Sequence, residues 1–273
     1  MMRMRLKHLL NSIVIVSGLC LIHTSVVAQQ NFSYERSEPP TLEMLIDARE
    51  VFEYEVSYGP FTLGWVEVEL LPDSTYEGNK AYHIRTLMKT NSRLLFVGYQ
   101  EIHYKSLFQY NEKWPYSFVF WRDDIHSEEY DKFRIIFDRD TQQAIFFEEG
   151  EQTETLELIE PASGGDIIFY YSRLFAGLEE RYSLPVYTED EQGTVTAISS
   201  PETEMREYEA FEEPIETYLS NGEADIEGPF GFRGSFKSWF STDDLRVPVE
   251  AHARVIFGNV KVRLISYQRG ENN

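Results

Sequence analysis

Residues 247–264 read Val-Pro-Val-Glu-Ala-His-Ala-Arg-Val-Ile-Phe-Gly-Asn-Val-Lys-Val-Arg-Leu, and this stretch decides the fold class. Val247, Val249, Ala251, Ala253, Val255 and Phe257 alternate with Pro248, Glu250, His252, Arg254 and Ile256. A period of two puts the first set on one face of a strand and the second on the other. Gly258-Asn259 reads as a tight hairpin turn, and Val260, Val262 and Leu264 line the returning strand.

The pattern repeats toward the N-terminus. Phe52, Tyr54, Val56 and Tyr58 share a face with Glu53, Glu55 and Ser57 opposite, and Gly59-Pro60 breaks the run. Val66, Val68 and Leu70 follow, with Trp65, Glu67 and Glu69 behind them. Turn residues fill 73–80, and 81–89 reads as a return strand. Further strands are expected at 99–108, 115–122, 129–137 and 143–148. Strands with one apolar and one wet face belong to antiparallel sheets. The expected fold is therefore mainly β: a strongly curved antiparallel sheet, an incomplete barrel or half-barrel, with one or two short helices.

One helix interrupts it. Asp166 can cap a start, Ile167, Tyr170, Tyr171 and Leu174 fall at i, i+3, i+4 and i+7, and Gly177 is a natural stop. Shorter helical turns are expected at 42–48 and 92–97. The acidic stretch 202–216 alternates and reads as an edge strand whose charges discourage edge pairing.

The chain has 273 residues, with 46 Asp and Glu against 25 Lys and Arg, a formal charge of −21 and one Cys. Its hydrophobic fraction of 42% and aromatic fraction of 15% exclude a disordered chain. The acidity argues against nucleic acid as a partner, since phosphates would be repelled. A single Cys excludes a disulfide scaffold.

The first residues carry Arg3, Arg5 and Lys7, then a mostly apolar run from Leu9 to Ile22, then Val26 and Ala28 at cleavage-site spacing. This is a secretory signal pattern. Asn11, Ser12, Ser17 and Gly18 weaken a membrane-anchor reading. Leu19 before Cys20 departs from lipoprotein signals, which place a small residue there. Residues 1–28 are expected to be removed and 29–49 to form a lead-in, with 50–270 a single antiparallel β domain. Loss of three cations would take the charge from −21 to −24 and leave no Cys. The expected location is the periplasm, without a lipid anchor or a transmembrane segment in the mature chain.

Signatures of familiar chemistry are missing: no H-E-x-x-H, no phosphate-cradling loop, no G-x-S-x-G elbow and no calcium loop. Asp124 and His126 share a strand face as oxygen and imidazole donors beside Asp123, but catalytic metal sites take three protein ligands. Solvated residues at a strand end explain them better. Asp243-Asp244 could be read as paired carboxylates, yet adjacent strand residues point apart, and a turn with Asp bonding nearby backbone fits better. His83 and His103 read as surface residues, and His252 joins Glu250 and Arg254 in a solvated charge row. No catalytic residue, metal ligand or cofactor is assigned.

The 17 Tyr, 19 Phe and 4 Trp fit a large β core. A subset is nominated to line an apolar pocket on the curved sheet: Tyr54, Tyr58, Phe118, Phe120, Trp121, Trp239 and Phe240.

Several segments resemble a bacterial cell-envelope family known only as domain of unknown function 3108. The resemblance lies in Phe52-Glu-Tyr-Glu-Val-Ser-Tyr-Gly-Pro, Leu63-Gly-Trp and Trp121-Arg-Asp. It continues through Phe137-Asp, the helix from Asp166, and Phe236-Lys-Ser-Trp-Phe-Ser-Thr-Asp-Asp-Leu-Arg-Val-Pro-Val-Glu, and ends at Phe257-Gly-Asn-Val-Lys-Val-Arg-Leu. It spans about residues 50 to 268. The chain departs from it at Glu213-Pro214, where the family has Gly. The resemblance implies export and an antiparallel β fold similar to the half-barrels of periplasmic lipoprotein carriers, and it carries no activity. The expected function is non-catalytic binding of a hydrophobic or amphipathic ligand, such as a lipid, in a curved sheet during envelope assembly. The alternatives are a protein-interaction module of the envelope and a hydrolase of envelope glycans or esters using Asp123, Asp124, His126 and Asp243.

Overall fold

The computed structural model describes residues 37–93, 99–111, 114–126, 130–188, 191–228, 232–255 and 258–270. The export signal, the first part of the lead-in and the helical turn expected at 92–97 fall wholly or largely outside these residues.

Among the described residues, fifteen strands form one sheet. The first eight are β1 (Val51–Tyr58), β2 (Phe61–Tyr76), β3 (Asn79–Thr90), β4 (Gln100–Tyr110), β5 (Pro115–His126), β6 (Tyr130–Asp138), β7 (Gln143–Glu148) and β8 (Glu151–Glu157). They run as a meander from β1 out to the β8 edge. The rest are β9 (Ser163–Gly164), β10 (Arg181–Tyr187), β11 (Gln192–Arg206), β12 (Ile215–Gly228), β13 (Phe232–Ser241), β14 (Pro248–Val255) and β15 (Gly258–Gln268). These return as a second meander that ends with β15 paired to β1. The two ends of the chain's β region thus meet in the middle of the sheet. Every pairing is antiparallel except β9 with β10. The fold is mainly β, an incompletely closed barrel with few short helices, as the alternation predicts.

The inner face carries Phe52, Tyr54, Leu70, Ile84, Phe108, Leu184, Ala197, Ile226 and Leu264, all buried in one cluster. The helical segment 165–175 lies against these residues. It comprises a 3-10 turn (Gly165–Ile167), α2 (Ile168–Tyr171) and a second 3-10 turn (Ser172–Phe175). Ile167, Tyr170 and Tyr171 enter the core, and Phe169 meets Phe52 edge-on at 4.9 Å. Such contacts contribute about 0.5–1.5 kcal/mol beyond burial. The barrel is therefore plugged by its own chain. Helix α1 (Leu42–Asp47), capped by the Thr41 hydroxyl, adds buried Leu45 and Ile46 to the same core.

Arg173, from the plug, and Glu50, just before β1, are both 0% exposed and form a bidentate pair at 2.7 and 2.9 Å. Arg173 Nε also donates to Leu245 O, and the Tyr267 hydroxyl donates to Glu50. The pair is fully satisfied, as a buried charge must be.

A second buried cluster forms where the sheet curls back. Phe120, Phe133, Ile135, Phe137 and Phe146 pack with Leu158, Ala162 and Tyr187. The start of β5 extends beyond β6 and meets the β9 edge there. Ser117 N–H donates to Ala162 O at 3.0 Å, and Gly164 N–H donates to Ser117 Oγ. Arg139 clamps the seam by donating to Ser117 O, Phe137 O and Ala162 O, with its guanidinium over the Tyr116 ring.

Two expectations are corrected. The C-terminal hairpin exists, but Val255 pairs with Gly258 and Arg254 with Asn259. Gly258-Asn259 therefore opens the return strand, and residues 256–257 between the two strands lie outside the described residues. Gly258 has φ +132 and lies so close to the Tyr58 ring that an added Cβ would stand 2.9 Å from it. Glycine is needed there for space and backbone conformation, not for the turn. The stretch 202–216 is not one strand. Residues 202–206 end β11 beyond its pairing with β10 and ladder to β12 alone, so this part is a charged edge as expected; 207–214 is a loop, and Ile215 starts β12. The terminal strand β8, Glu-Gln-Thr-Glu-Thr-Leu-Glu, is a charged edge as well.

Candidate functional site

With the interior occupied, the concavities that stand out open on the outer surface. The larger, about 820 Å³, is a trough across β10–β15. Alternation builds it. Val195 and Ala197 turn inward on β11, leaving Thr194, Thr196 and Ile198 outward. Ala224 and Ile226 do the same on β12, leaving Asn221, Glu223 and Asp225. Lys237, His252, Arg254 and Asn259 complete the wall. Ile198, 38% exposed, joins Ala197 and Phe236 as the apolar part of the lining.

One end of the trough is anchored by a buried charge. Glu250, its side chain 2% exposed, accepts from Arg206 at 2.7 Å and bonds His252 at 2.5 Å. Burial pushes its carboxyl up, but the hydrogen bonds from Arg206 and His252 outweigh this and hold it below the usual range. Trp239 lies beneath, 4.6 Å from the His252 ring, with Arg206 over its indole and its N–H donated to Glu204. Tyr208 is buried and accepts from Arg206 Nε, while Arg263 reaches Glu207 O. Glu250, His252 and Arg254 are thus not a simple solvated row: the chain after β11 turns back over the first of them. The network fixes the His252 ring at the trough wall.

The smaller concavity, about 480 Å³, lies near the seam and is lined by Lys80, Trp114, Tyr116, Phe118 and Arg139 among others. Phe118 stacks on Tyr76 at 5.4 Å.

The nominated aromatics do not converge. Tyr54 is in the core, its hydroxyl donating to Pro248 O at 2.8 Å. Phe120 is in the second cluster and Phe240 is buried. Phe118 lines the smaller concavity, and Trp121 is half-buried beside Lys105 and Arg134 in the register. Tyr58 ends β1. Trp239 alone adjoins the trough, through His252.

The acidic candidates are separated as well. Asp123 pairs with Lys105, and Asp124 with Arg122 at 2.9 Å. Asp124 is buried rather than solvated, because β5 runs on to His126 and turns it inward opposite Ile102. Asp243 accepts from Leu245 N–H, the expected turn role, while Asp244 pairs with Arg269. His83 and His103 are half-buried, and burial together with Lys105 and Arg85 lowers the His83 pKa. Among the described residues, no three His, Cys, Asp or Glu group to hold a metal ion. No helix among them is long and apolar enough to cross a membrane.

The trough escaped sequence reasoning because its side chains come in ones to fours from six strands. The signal was there in outward Lys237, His252 and Arg254, but only register reveals that they adjoin.

No curated protein shows significant sequence similarity to the chain. A "Beta-barrel-like Protein of Domain of Unknown Function DUF1849 from Brucella abortus" shares the fold. It has TM-score 0.53 at 7% identity, covering 82% of this chain and 99% of that one. LprF from Mycobacterium bovis aligns over 86% and 97% of the two chains at 7% identity, with a TM-score of only 0.19. Residues 53–265, from inside β1 to near the end of β15, match a family profile described as protein of unknown function. The chain belongs to that family, DUF3108.

Proposed function

We propose that this chain is an exported, non-catalytic binding protein of the cell envelope whose ligand lies on the outer face of the curved sheet. The observation that carries this reading is the open trough of about 820 Å³ on β10–β15, set beside a barrel interior filled by the segment 165–175. A half-barrel that carries its ligand inside needs that volume free. The trough mixes charged and hydroxyl groups with exposed Ile198, a lining suited to an amphipathic ligand. Export is supported by the N-terminal signal pattern alone.

Two measurements test this. N-terminal sequencing of the protein recovered from cells should find Gln29 first, in the soluble envelope fraction; a full-length cytoplasmic chain contradicts export. Native mass spectrometry of that material should show a small-molecule adduct released unchanged, whereas release of a chemically altered product contradicts the non-catalytic reading.

A second reading, a protein-interaction module, has its own observation. Phe61 is 49% and Trp65 43% exposed on β2. A photo-crosslinker at position 65 that captures one reproducible envelope protein, with no small-molecule adduct in the native spectrum, favours it.

A further inference from the structure

One row of side chains crosses the trough from end to end. Arg181, Ile198, Asn221, Lys237, His252 and Lys261 are successive register partners on β10, β11, β12, β13, β14 and β15. At ~4.8 Å per strand, five steps span roughly 24 Å. Beside this row lie Ser183, Thr196, Glu223 and Ser235, again register partners, with Arg254 paired to Asn259 further along.

The charges of this row are out of place in this chain. Acids outnumber bases 46 to 25, so a surface cation has ample choice of partners. Arg85 pairs with Glu67 and Glu69, Arg233 with Glu191, and Arg269 with Asp244. Among the described residues, Arg181, Lys237, Arg254 and Lys261 make no ion pair and gather in or beside the trough; Arg93, Arg134 and Arg246 also make none but lie apart, Arg134 over the Phe147 ring and Arg246 on backbone carbonyls. Lys237 and Lys261 flank His252 directly across the sheet.

We propose that this row binds a linear acidic polysaccharide, laid across the strands with its acid groups at Arg181, Lys237 and Lys261 and its hydroxyls toward Asn221, Thr196, Ser235 and Asn259. The proposal rests on the trough being the ligand surface. The cations sit three and two strands apart, so the acid groups facing them recur about every 10–14 Å, which a polyuronate supplies when every second or third sugar turns its carboxylate to the sheet. A nucleic-acid strand carries a charge every ~3.4 Å, far denser than this row, and would meet Glu223 and Asp225. A peptide held through its backbone docks on a sheet by adding a strand to an open edge. Here the row crosses strands whose backbones are already laddered. Side-chain hydroxyls, amides and two carboxylates beside sparse cations match a chain rich in hydroxyls and modest in charge.

The test is calorimetric titration of the mature chain (from Gln29) with hexagalacturonate, with uncharged maltohexaose as the control. Hexagalacturonate should bind, its affinity falling as salt rises, and maltohexaose should bind at least tenfold more weakly. K237Q/K261Q should weaken hexagalacturonate about tenfold per lost charge-assisted contact. Both side chains are on the outer face, so an unchanged melting temperature certifies the variant's fold. Failure of hexagalacturonate to bind, or equal affinity in K237Q/K261Q, overturns the proposal. If a neutral amphiphile then shifts the Ile198 and Asn221 amide resonances, the trough remains the ligand surface and only the acidic-glycan assignment falls. If nothing shifts them, both fall.

Discussion

Replacing Arg173 by Met should be among the most destabilising single changes in this protein. The substitution keeps an unbranched side chain in the plug but removes five contacts: two hydrogen bonds to Glu50, one to Leu245 O, and the cation over the Phe52 and Tyr170 rings. What remains is a fully buried carboxylate held by the Tyr267 hydroxyl alone. Stranding one member of a buried pair costs about 3–5 kcal/mol, most of it the desolvation of the charge left behind. Domains of this kind have only about 5–15 kcal/mol in total. The melting temperature should therefore fall by roughly 6–20 °C, at about 2–4 °C per kcal/mol for a chain of this size. Urea denaturation of wild type, R173M, E50Q and the double variant supplies the assay. Adding E50Q to R173M should recover much of the loss, because the uncompensated charge is gone and the coupling between the sites is large. A loss under about 1 kcal/mol in R173M would refute the reasoning. So would additive costs in the double variant, since the pair would not then tie the plug to the sheet.

Three other changes probe separate features. Asp166 as a residue is part-exposed, but its Oδ2 is enclosed. Burial pushes its carboxyl up to about 6 against the hydrogen bond from Ser106. The folded state then holds more protons than the unfolded chain between pH ~4 and ~6. This group's contribution is favourable at low pH and is lost as pH rises through that window, by at most about 3 kcal/mol. Subtracting the stability curve of D166N from that of wild type should show this fall, and a flat difference contradicts the assignment. R139A should cost about 2–3 kcal/mol by leaving seam carbonyls without their donor. Hydrogen exchange should rise selectively at the Ser117 and Gly164 amides, and uniform protection there would show that the clamp is dispensable. G64A should cost at least 2 kcal/mol, because the new Cβ would stand 2.1 Å from the Lys89 carbonyl oxygen, a backbone atom that cannot step aside cheaply. Wild-type stability in G64A would mean that β2 and β3 are not so closely apposed.

Much of the fold was legible because its signal is local. Period-two alternation in Phe52-Glu-Tyr-Glu-Val needs no knowledge of neighbours, and the spacing of Ile167, Tyr170 and Tyr171 marked a helix whose apolar side is indeed buried. What alternation cannot report is order in the sheet. The 202–216 stretch read as one edge strand, whereas 202–206 is the part of β11 that ladders to β12 alone and the acids after it lie in the loop before β12, a break that alternation does not mark. Gly258-Asn259 is paired strand rather than turn, because Gly258 is a glycine for another reason, contact with the Tyr58 ring. The candidate site was hidden most deeply. Arg181 and Lys261 are eighty residues apart, and only five consecutive registers place them on one line. The aromatics, by contrast, were scattered by the same registers into core, seam and rim.

The central claim is that the interior is filled and the outer trough receives the ligand. Amide shift mapping of the isotope-labelled mature chain tests it directly, with hexagalacturonate and a lipid analogue titrated in turn. The account predicts shifts confined to Thr196, Ile198, Asn221, Lys237, His252, Arg254 and Lys261, with Phe52, Ile167 and Tyr170 unmoved. Shifts centred on Phe52, Ile167 and Tyr170 would contradict it, because the ligand would then have displaced the plug.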